Sequence, residues 1–233
     1  MISSRLKVQS GIGYASPKAI RKFLDKRRPS LERYLFWHRN KRKGGKKRKS
    51  TFLTDTRKSI KERGDVSSYG HWEMDFIVSS HNSSVLLVLV EKKTKYTKVQ
   101  LLPNRKNCLI TKTVSSLLCN EEVHSITTDN DIAFQHWKEI EKHLDCSIYF
   151  TDPYCSWQKG LVENMNRWIR QFIPKKTDLS SLCEDYILSV ERWLNNVARP
   201  VLGGYTAYER YMYETKGVSL TSLLSPLPQR VDC

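Results

Sequence analysis

The sequence predicts an α/β fold with a mixed sheet of five strands, and three observations lead there. A strictly alternating stretch, HWEMDF, precedes an uninterrupted apolar run, SVLLVLVE, and a third extended segment, KYTKVQLL, that ends before Pro103. Short turn-forming pieces such as SSHNSS join these segments, which makes an antiparallel meander. Beyond them helical stripes and short extended segments alternate along the chain, which makes the sheet a mixed one.

As a strand, HWEMDF puts His71, Glu73 and Asp75 on one face and Trp72, Met74 and Phe76 on the other. The run from Val85 to Val90 suits a central strand buried on both faces. Ile110, Val114, Leu117 and Leu118 mark a helix, VHSITT a strand ending at Asp129, and Phe134, Trp137, Ile140 and Leu144 a second helix. CSIYF is the last strand. After the DPY turn, Leu161, Met165, Trp168, Ile169 and Phe172 mark a helix that stops at Pro174, and Leu182, Tyr186, Val190, Trp193 and Val197 mark one more. Three antiparallel strands followed by alternating helices and strands is the element order of the RNase H-like fold.

Ahead of this core, SPKAIRKFLDKRR opens with a Ser cap and a Pro at the first helical position, and a second short helix is expected from Ser30 after the break at Pro29. The pair reads equally as part of a helix-turn-helix or as a plain helical hairpin. The run RNKRKGGKKRK, with Arg39, Lys41, Arg42, Lys43, Lys46, Lys47, Arg48 and Lys49, cannot pack a core and reads as a charged arm. The resulting division is a basic helical DNA-binding segment and linker over 1–50, a connector over 51–67, the core over 68–202 and a tail over 203–233.

Forty Lys and Arg against twenty-four Asp and Glu leave a net charge of +16, which calls for a polyanionic partner. No apolar run approaches the roughly 18 residues of a spanning helix, and no signal-type segment opens the sequence, so the expectation is a cytoplasmic, nucleoid-associated chain without a membrane partner. The six cysteines are scattered and read as reduced, mostly buried thiols, and the spacing of His136 and His143 does not suit zinc.

Asp75 within a strand, Asp129 at a strand end and Glu163 near a helix start would meet in the fold described. Carboxylates on rigid elements hold divalent ions that drive in-line attack on a phosphodiester. Each also has a plainer role: Glu163 can pair with Arg167 one turn on, and Asp129-Asn130 can be turn chemistry. Asp75, between Met74 and Phe76, is the hardest to explain as structure alone. Glu73 shares its face and reads either as a metal contact or as a structural hydrogen-bonding group.

GHWEMDFI with LVEKKTKY, then TTDN, then YFTDPYCSWQKGLVENMNRWIRQFIPKKTDL, resembles the catalytic region of the insertion-sequence-thirty family of bacterial DDE transposases, from about Tyr69 to Glu209. The resemblance implies an RNase H-like core of the retroviral-integrase type, with Asp75, Asp129 and Glu163 as the catalytic metal ligands. It further implies Mg²⁺ or Mn²⁺, as a pair of ions, and metal-dependent strand cleavage and strand transfer at insertion-sequence ends. The implied partners are double-stranded DNA, as element ends and target, and at least one further copy of the chain on that DNA. Asp152, Tyr154, Trp157, Gln158, Lys159 and Asn164 match the same block and by resemblance shape the site and its DNA contacts; Trp157 also reads as core and Asp152-Pro153 as a turn. Lys159, Asn164 and Arg167 are expected at the rim, facing the DNA backbone.

The sequence departs from the family where Gly and Glu are usual, with Asp131 and Ala133 in their place, and the segment NNVARPVLGGYTAYER is altered too. Asp131 is expected to hold metal badly or to repel phosphate. The sequence is also short at its N-terminus and is expected to begin within or after the family's usual helix-turn-helix region. A catalytically impaired, transposase-derived DNA-binding protein, such as a transposition inhibitor or a host-recruited factor, is therefore the alternative, and a structure-selective nuclease has only the carboxylates in its favour.

If the basic arm neutralises about six phosphates, deleting Arg39 to Lys49 should remove a slope of about −5 from a plot of log binding constant against log salt. An unchanged slope in parallel salt titrations of the two proteins would make the segment a tether only.

Overall fold

The computed structural model describes residues 1–9, 11–28, 30–31, 57–79, 82–152 and 155–220. Its strands are β1 (Lys58–Ser59), β2 (His71–Val78), β3 (Val85–Glu91), β4 (Thr97–Leu102), β5 (Ser125–Thr128) and β6 (Ser147–Phe150). The helices are α1 (Ile2–Val8), α2 (Pro17–Arg27), α3 (Asn107–Leu118), α4 (Trp137–Leu144), α5 (Gly160–Phe172), α6 (Glu184–Asn196) and α7 (Ala207–Lys216). The chain divides into a unit of 47–195 and a unit of 1–46 with 196–233.

In the larger unit the sheet has the order β1-β6-β5-β2-β3-β4. β2, β3 and β4 are antiparallel neighbours, and β5 and β6 add in parallel on the far side of β2. All five expected strands form. The sixth, β1, corrects the count: it pairs in parallel with β6 through Lys58↔Tyr149 and Ser59↔Phe150, and two residues are too few to carry an alternation signal.

Trp72 and Met74 of β2 and Leu87 and Leu89 of β3 join a core with Ile110, Val114 and Leu118 of α3 and Trp137 and Ile140 of α4. Every residue of β3 is buried, as its unbroken apolar run requires. α5 lies against β2 and β3. The buried stripe of α6 is Ile187, Val190 and Leu194, not the expected one through Tyr186 and Trp193, whose side chains are partly exposed. Leu182 and Val197 fall outside the helix, and Trp193 packs edge-on against Phe172 at 4.8 Å. Three of the described cysteines, Cys108, Cys119 and Cys183, are exposed and none is fully buried, against expectation.

The outer edge of β4 is covered by side chains of α6. Asn195 Oδ1 accepts from Thr97 N at 2.9 Å while its Nδ2 donates to Thr97 O at 2.8 Å, and Glu191 Oε2 accepts from Val99 N at 2.6 Å. Backbone groups that an edge strand would leave open are thereby occupied.

Polar ties hold α5 along β2. Glu73, 2% exposed, accepts through Oε2 from Leu161 N at 3.2 Å and Val162 N at 3.0 Å, and its Oε1 pairs with Lys92 Nζ at 3.0 Å. These are unpaired donors of the first helical turn, where a negative charge is favoured. Farther along, Asn166 Nδ2 donates to Asp75 Oδ2 at 2.7 Å, and Arg170 Nη2 donates to Val78 O at 3.0 Å.

In the smaller unit α2 begins as expected, with Ser16 Oγ accepting from Ala19 N at 3.1 Å and Pro17 in the first turn. Arg5 of α1 forms a two-bond pair with Glu209 of α7 at 2.7 and 2.9 Å. Glu209 also completes a capping box with Thr206. Gly204, at φ +98°, has no room for a Cβ, which would stand 2.1 Å from Ser4 O. The two ends of the chain, expected as separate segments, thus share one unit. Most of the expected second N-terminal helix, the basic arm from Arg39 to Lys49 and the end of the tail lie outside the described residues.

Glu73→Ala should cost about 3 kcal/mol in urea denaturation, because it leaves helix donors and a lysine without their anion. Glu73→Gln should lose about half as much, since an amide oxygen still accepts from the helix. A Gln variant as unstable as the Ala variant would assign the stabilisation to the Lys92 pair instead of the helix start.

Candidate active site

The site is assembled from the middle of β2, the end of β5 and the start of α5. The parallel pairing of β2 with β5, through Trp72↔Ile126 and Glu73↔Thr127, sends both chains the same way. Asp75 and Asp129 therefore emerge side by side. His71, at the start of β2, is buried and locks that register by bonding Ser125 Oγ at 2.7 Å and Ser68 Oγ at 3.2 Å. Burial holds its pKa below the usual histidine value, with His124 adding to the effect.

Both aspartates face one cation. Lys159 Nζ lies 3.1 Å from Asp75 Oδ1 and 3.3 Å from Asp129 Oδ2, and Lys159 is only 4% exposed. This differs from the rim position expected for it. Burial alone would lower the Lys159 pKa, but Asp129 and Asp75 together hold it above the usual lysine value. Burial raises the Asp75 carboxyl; Lys159 opposes that rise and the charge of Asp129 reinforces it. One ammonium does not fully compensate two carboxylates.

Glu163 stands in the first turn of α5, half-buried, and its carboxyl is raised by burial, opposed by Lys159 and Arg167 and reinforced by Asp75 and Glu73. Arg167, one turn on, is exposed, and Asn164 is half-buried. Asn166 was not expected from the sequence. Asp75 can only accept, so the Asn166 nitrogen turns toward it, leaving Asn166 Oδ1 buried without a partner among the described residues. The one available signal is its place three residues after Glu163 on the same helix. Glu73 is resolved as a structural group, tying down the start of α5.

The surrounding motif is local scaffolding. Asn130 Nδ2 donates to Thr151 O at 2.8 Å and so joins the ends of β5 and β6. Asp152 N donates to Gln158 Oε1 at 2.7 Å, Gln158 Nε2 returns a bond to Asp152 Oδ2 at 3.1 Å, and Lys61 pairs with Asp152 at 3.1 Å. Trp157 is 73% exposed and is not core. Pro153 and Tyr154 lie outside the described residues. The Asp131 carboxylate has partners of its own: Oδ2 accepts from Arg105 at 2.9 Å and Oδ1 from Ala133 N at 2.9 Å, at the start of a short 3₁₀ turn, while its backbone N donates to Asp129 Oδ1 at 3.4 Å. Arg105 offsets the charge of Asp131 in a partly exposed ion pair.

Oxygen donors converging on a single positive charge, beside an unpartnered amide oxygen, suit a hard divalent cation. No group of three His, Cys, Asp or Glu side chains that could hold a metal ion is found among the described residues; Asp75 and Asp129 meet at Lys159. No helix among the described residues is long and apolar enough to cross a membrane.

No family model matches the chain. It is 31% identical over 211 residues to the transposase for insertion sequence element IS4351 of Bacteroides fragilis, an alignment covering 86% of this chain and 65% of that protein. It is 30% identical to the putative integrase ORF3 of Spiroplasma virus SpV1-R8A2 B, over 77% of this chain and 59% of the other. It is 32% identical to the transposase InsI for insertion sequence element IS30A of Escherichia coli K12, over 66% and 40%. The chain thus spans less than two thirds of the length of these relatives. In fold it matches the catalytic core domain of BIV integrase with a TM-score of 0.50 at 20% identity, over 63% of this chain and 96% of that one. It also matches a chain of the simian T-cell lymphotropic virus intasome with a TM-score of 0.53 at 20% identity, over 74% and 61%. In sequence this chain is similar to the insertion-sequence-thirty transposases, and its fold is that of an RNase H-like core of the integrase type.

Proposed function

We propose that the chain cleaves DNA strands at the ends of an insertion sequence and joins the freed 3′ hydroxyl to target DNA, in a reaction that depends on divalent metal. The observation that carries this reading is the convergence of Asp75 and Asp129 on one cation position, beside a helix that presents Glu163. Asp75, Asp129 and Glu163 would hold Mg²⁺ or Mn²⁺. When bound, a pair of such ions activates the attacking oxygen and stabilises the leaving one.

The chain's own residues set the geometry. Asn166 fixes the Asp75 carboxylate, while Glu73 and Arg170 hold α5 against β2 so that Glu163 stays within reach. Arg167 and Asn164, flanking Glu163 on α5, supply contacts to the DNA backbone, and the basic arm from Arg39 to Lys49 adds non-specific affinity. The partners are double-stranded DNA, as element ends and target, and at least one further copy of the chain, because two ends must be held together. The place of action is the nucleoid in the cytoplasm.

Asp75→Asn, Asp129→Asn and Glu163→Gln should each reduce Mg²⁺-dependent nicking of an end-containing duplex to background while leaving duplex binding nearly intact. Cleavage by any one purified variant at the rate of the parent would remove that residue from the assignment. A parent protein that binds the ends but never nicks them would favour the impaired, DNA-binding alternative.

Asp131→Asn should leave cleavage unchanged and lower stability by less than about 1 kcal/mol, the range of a solvent-accessible ion pair. Faster cleavage by this variant at fixed Mg²⁺ would mean that the Asp131 charge does reach the substrate.

A further inference from the structure

The position of Lys159 is unusual for a residue in a basic, nucleic-acid-binding type of sequence. Its side chain is 5% exposed, and its ammonium bonds inward to Asp75 and Asp129 while the chain around it reaches the surface. Trp157, two residues earlier on the same 3₁₀ turn, is 73% exposed. A lysine ammonium is a compact point charge on a flexible stem. Rotation about the bonds of that stem is the movement that a release of the ammonium requires.

Resting on the reading of Asp75, Asp129 and Glu163 as a cation site, we propose that Lys159 is a built-in counter-ion that neutralises the aspartate pair in the metal-free protein, competes with the divalent ion for the same oxygens, and is released toward DNA phosphate when the ion displaces it. Asp75 makes the competition direct. Its Oδ1 is engaged by Lys159 and its Oδ2 by Asn166, so a divalent ion arriving at Oδ1 meets the ammonium on the same oxygen. Two cations cannot share that space at the distances observed, because like charges a few ångströms apart repel strongly in a partly buried site.

Removing the ammonium has opposite consequences in the two states. Without metal, the aspartates lose the charge that offsets their repulsion. With metal, the ion no longer has a competitor. Phosphate that holds Lys159 outward must tighten metal binding by the same factor as metal tightens the Lys159 contact to phosphate, since the coupling is reciprocal.

Isothermal titration of Mn²⁺ into the full chain and into Lys159→Gln tests this without reference to activity. The variant should bind Mn²⁺ about tenfold more tightly, within the range of ordinary coupling between sites. It should also melt below the parent in EDTA and gain more from added Mn²⁺. Equal or weaker Mn²⁺ binding by a folded variant, with the parent binding normally, overturns the counter-ion role alone. No Mn²⁺ binding by either protein overturns the cation-site reading and the proposal with it. The unmodified protein gives a second measurement should the variant not fold: an amine-acetylating reagent should label Lys159 several-fold faster in Mn²⁺ than in EDTA, read by peptide mass spectrometry. Labelling that Mn²⁺ leaves unchanged or slows overturns the proposal.

Discussion

The alignment of α5 along β2 is the constraint on which the site depends. A helix packed on a sheet by apolar contact alone can slide or rotate with little penalty, because such contact has no direction. Here the contacts that fix it are polar: the Glu73 carboxylate at the first turn, Asn166 on Asp75 and Arg170 on the carbonyl of Val78. Hydrogen bonds lose strength steeply with misalignment. Together they set both the height and the rotation of the helix, and Glu163 inherits its position from them. Asp129 is placed separately, by the parallel register of β5 with β2 and by the bond from Asn130 to Thr151.

Much of this was legible in the sequence because it follows from periodicity. Alternation in HWEMDF separates the core face of β2 from the face that carries Glu73 and Asp75, and the apolar run of β3 requires the central, doubly covered place it occupies. The three carboxylates stood out for their surroundings and for the motif around them. The sequence does not reveal where a flexible side chain ends. Lys159 looked like a surface cation because lysines seldom lie buried, and its burial results from two aspartates contributed by strands distant in sequence. Asn166 and Glu73 acquire their roles through the same long-range contacts. Trp157, apolar enough to be read as core, is exposed because the turn that carries it is held by Asp152 and Gln158 rather than by packing. The pairing of Arg5 with Glu209 joins residues at opposite ends of the chain, beyond any local pattern.

The distribution of charge has its own logic. The chain carries +16 overall, yet Asp75, Asp129 and Glu163 concentrate negative charge where the chemistry is proposed. At physiological salt the screening length is about 8 Å. A distant phosphate therefore responds to the basic exterior, whereas one at the site responds to the carboxylates and to whatever cation accompanies them. Attraction to DNA and admission of a phosphodiester to the site are separable steps, and the second is sensitive to the local count of positive charges.

The covering of β4 by α6 bears on how copies of the chain can associate. A sheet grows by offering a row of free N–H and C=O groups to a new strand, and a bare edge offers that row to any chain with extended backbone. Asn195 satisfies both backbone groups of Thr97, and Glu191 satisfies the N–H of Val99. A strand arriving at this edge would have to displace side chains that already complete the ladder. A seamless sheet running from one molecule into the next through the Thr97–Val99 stretch of β4 is thereby disfavoured.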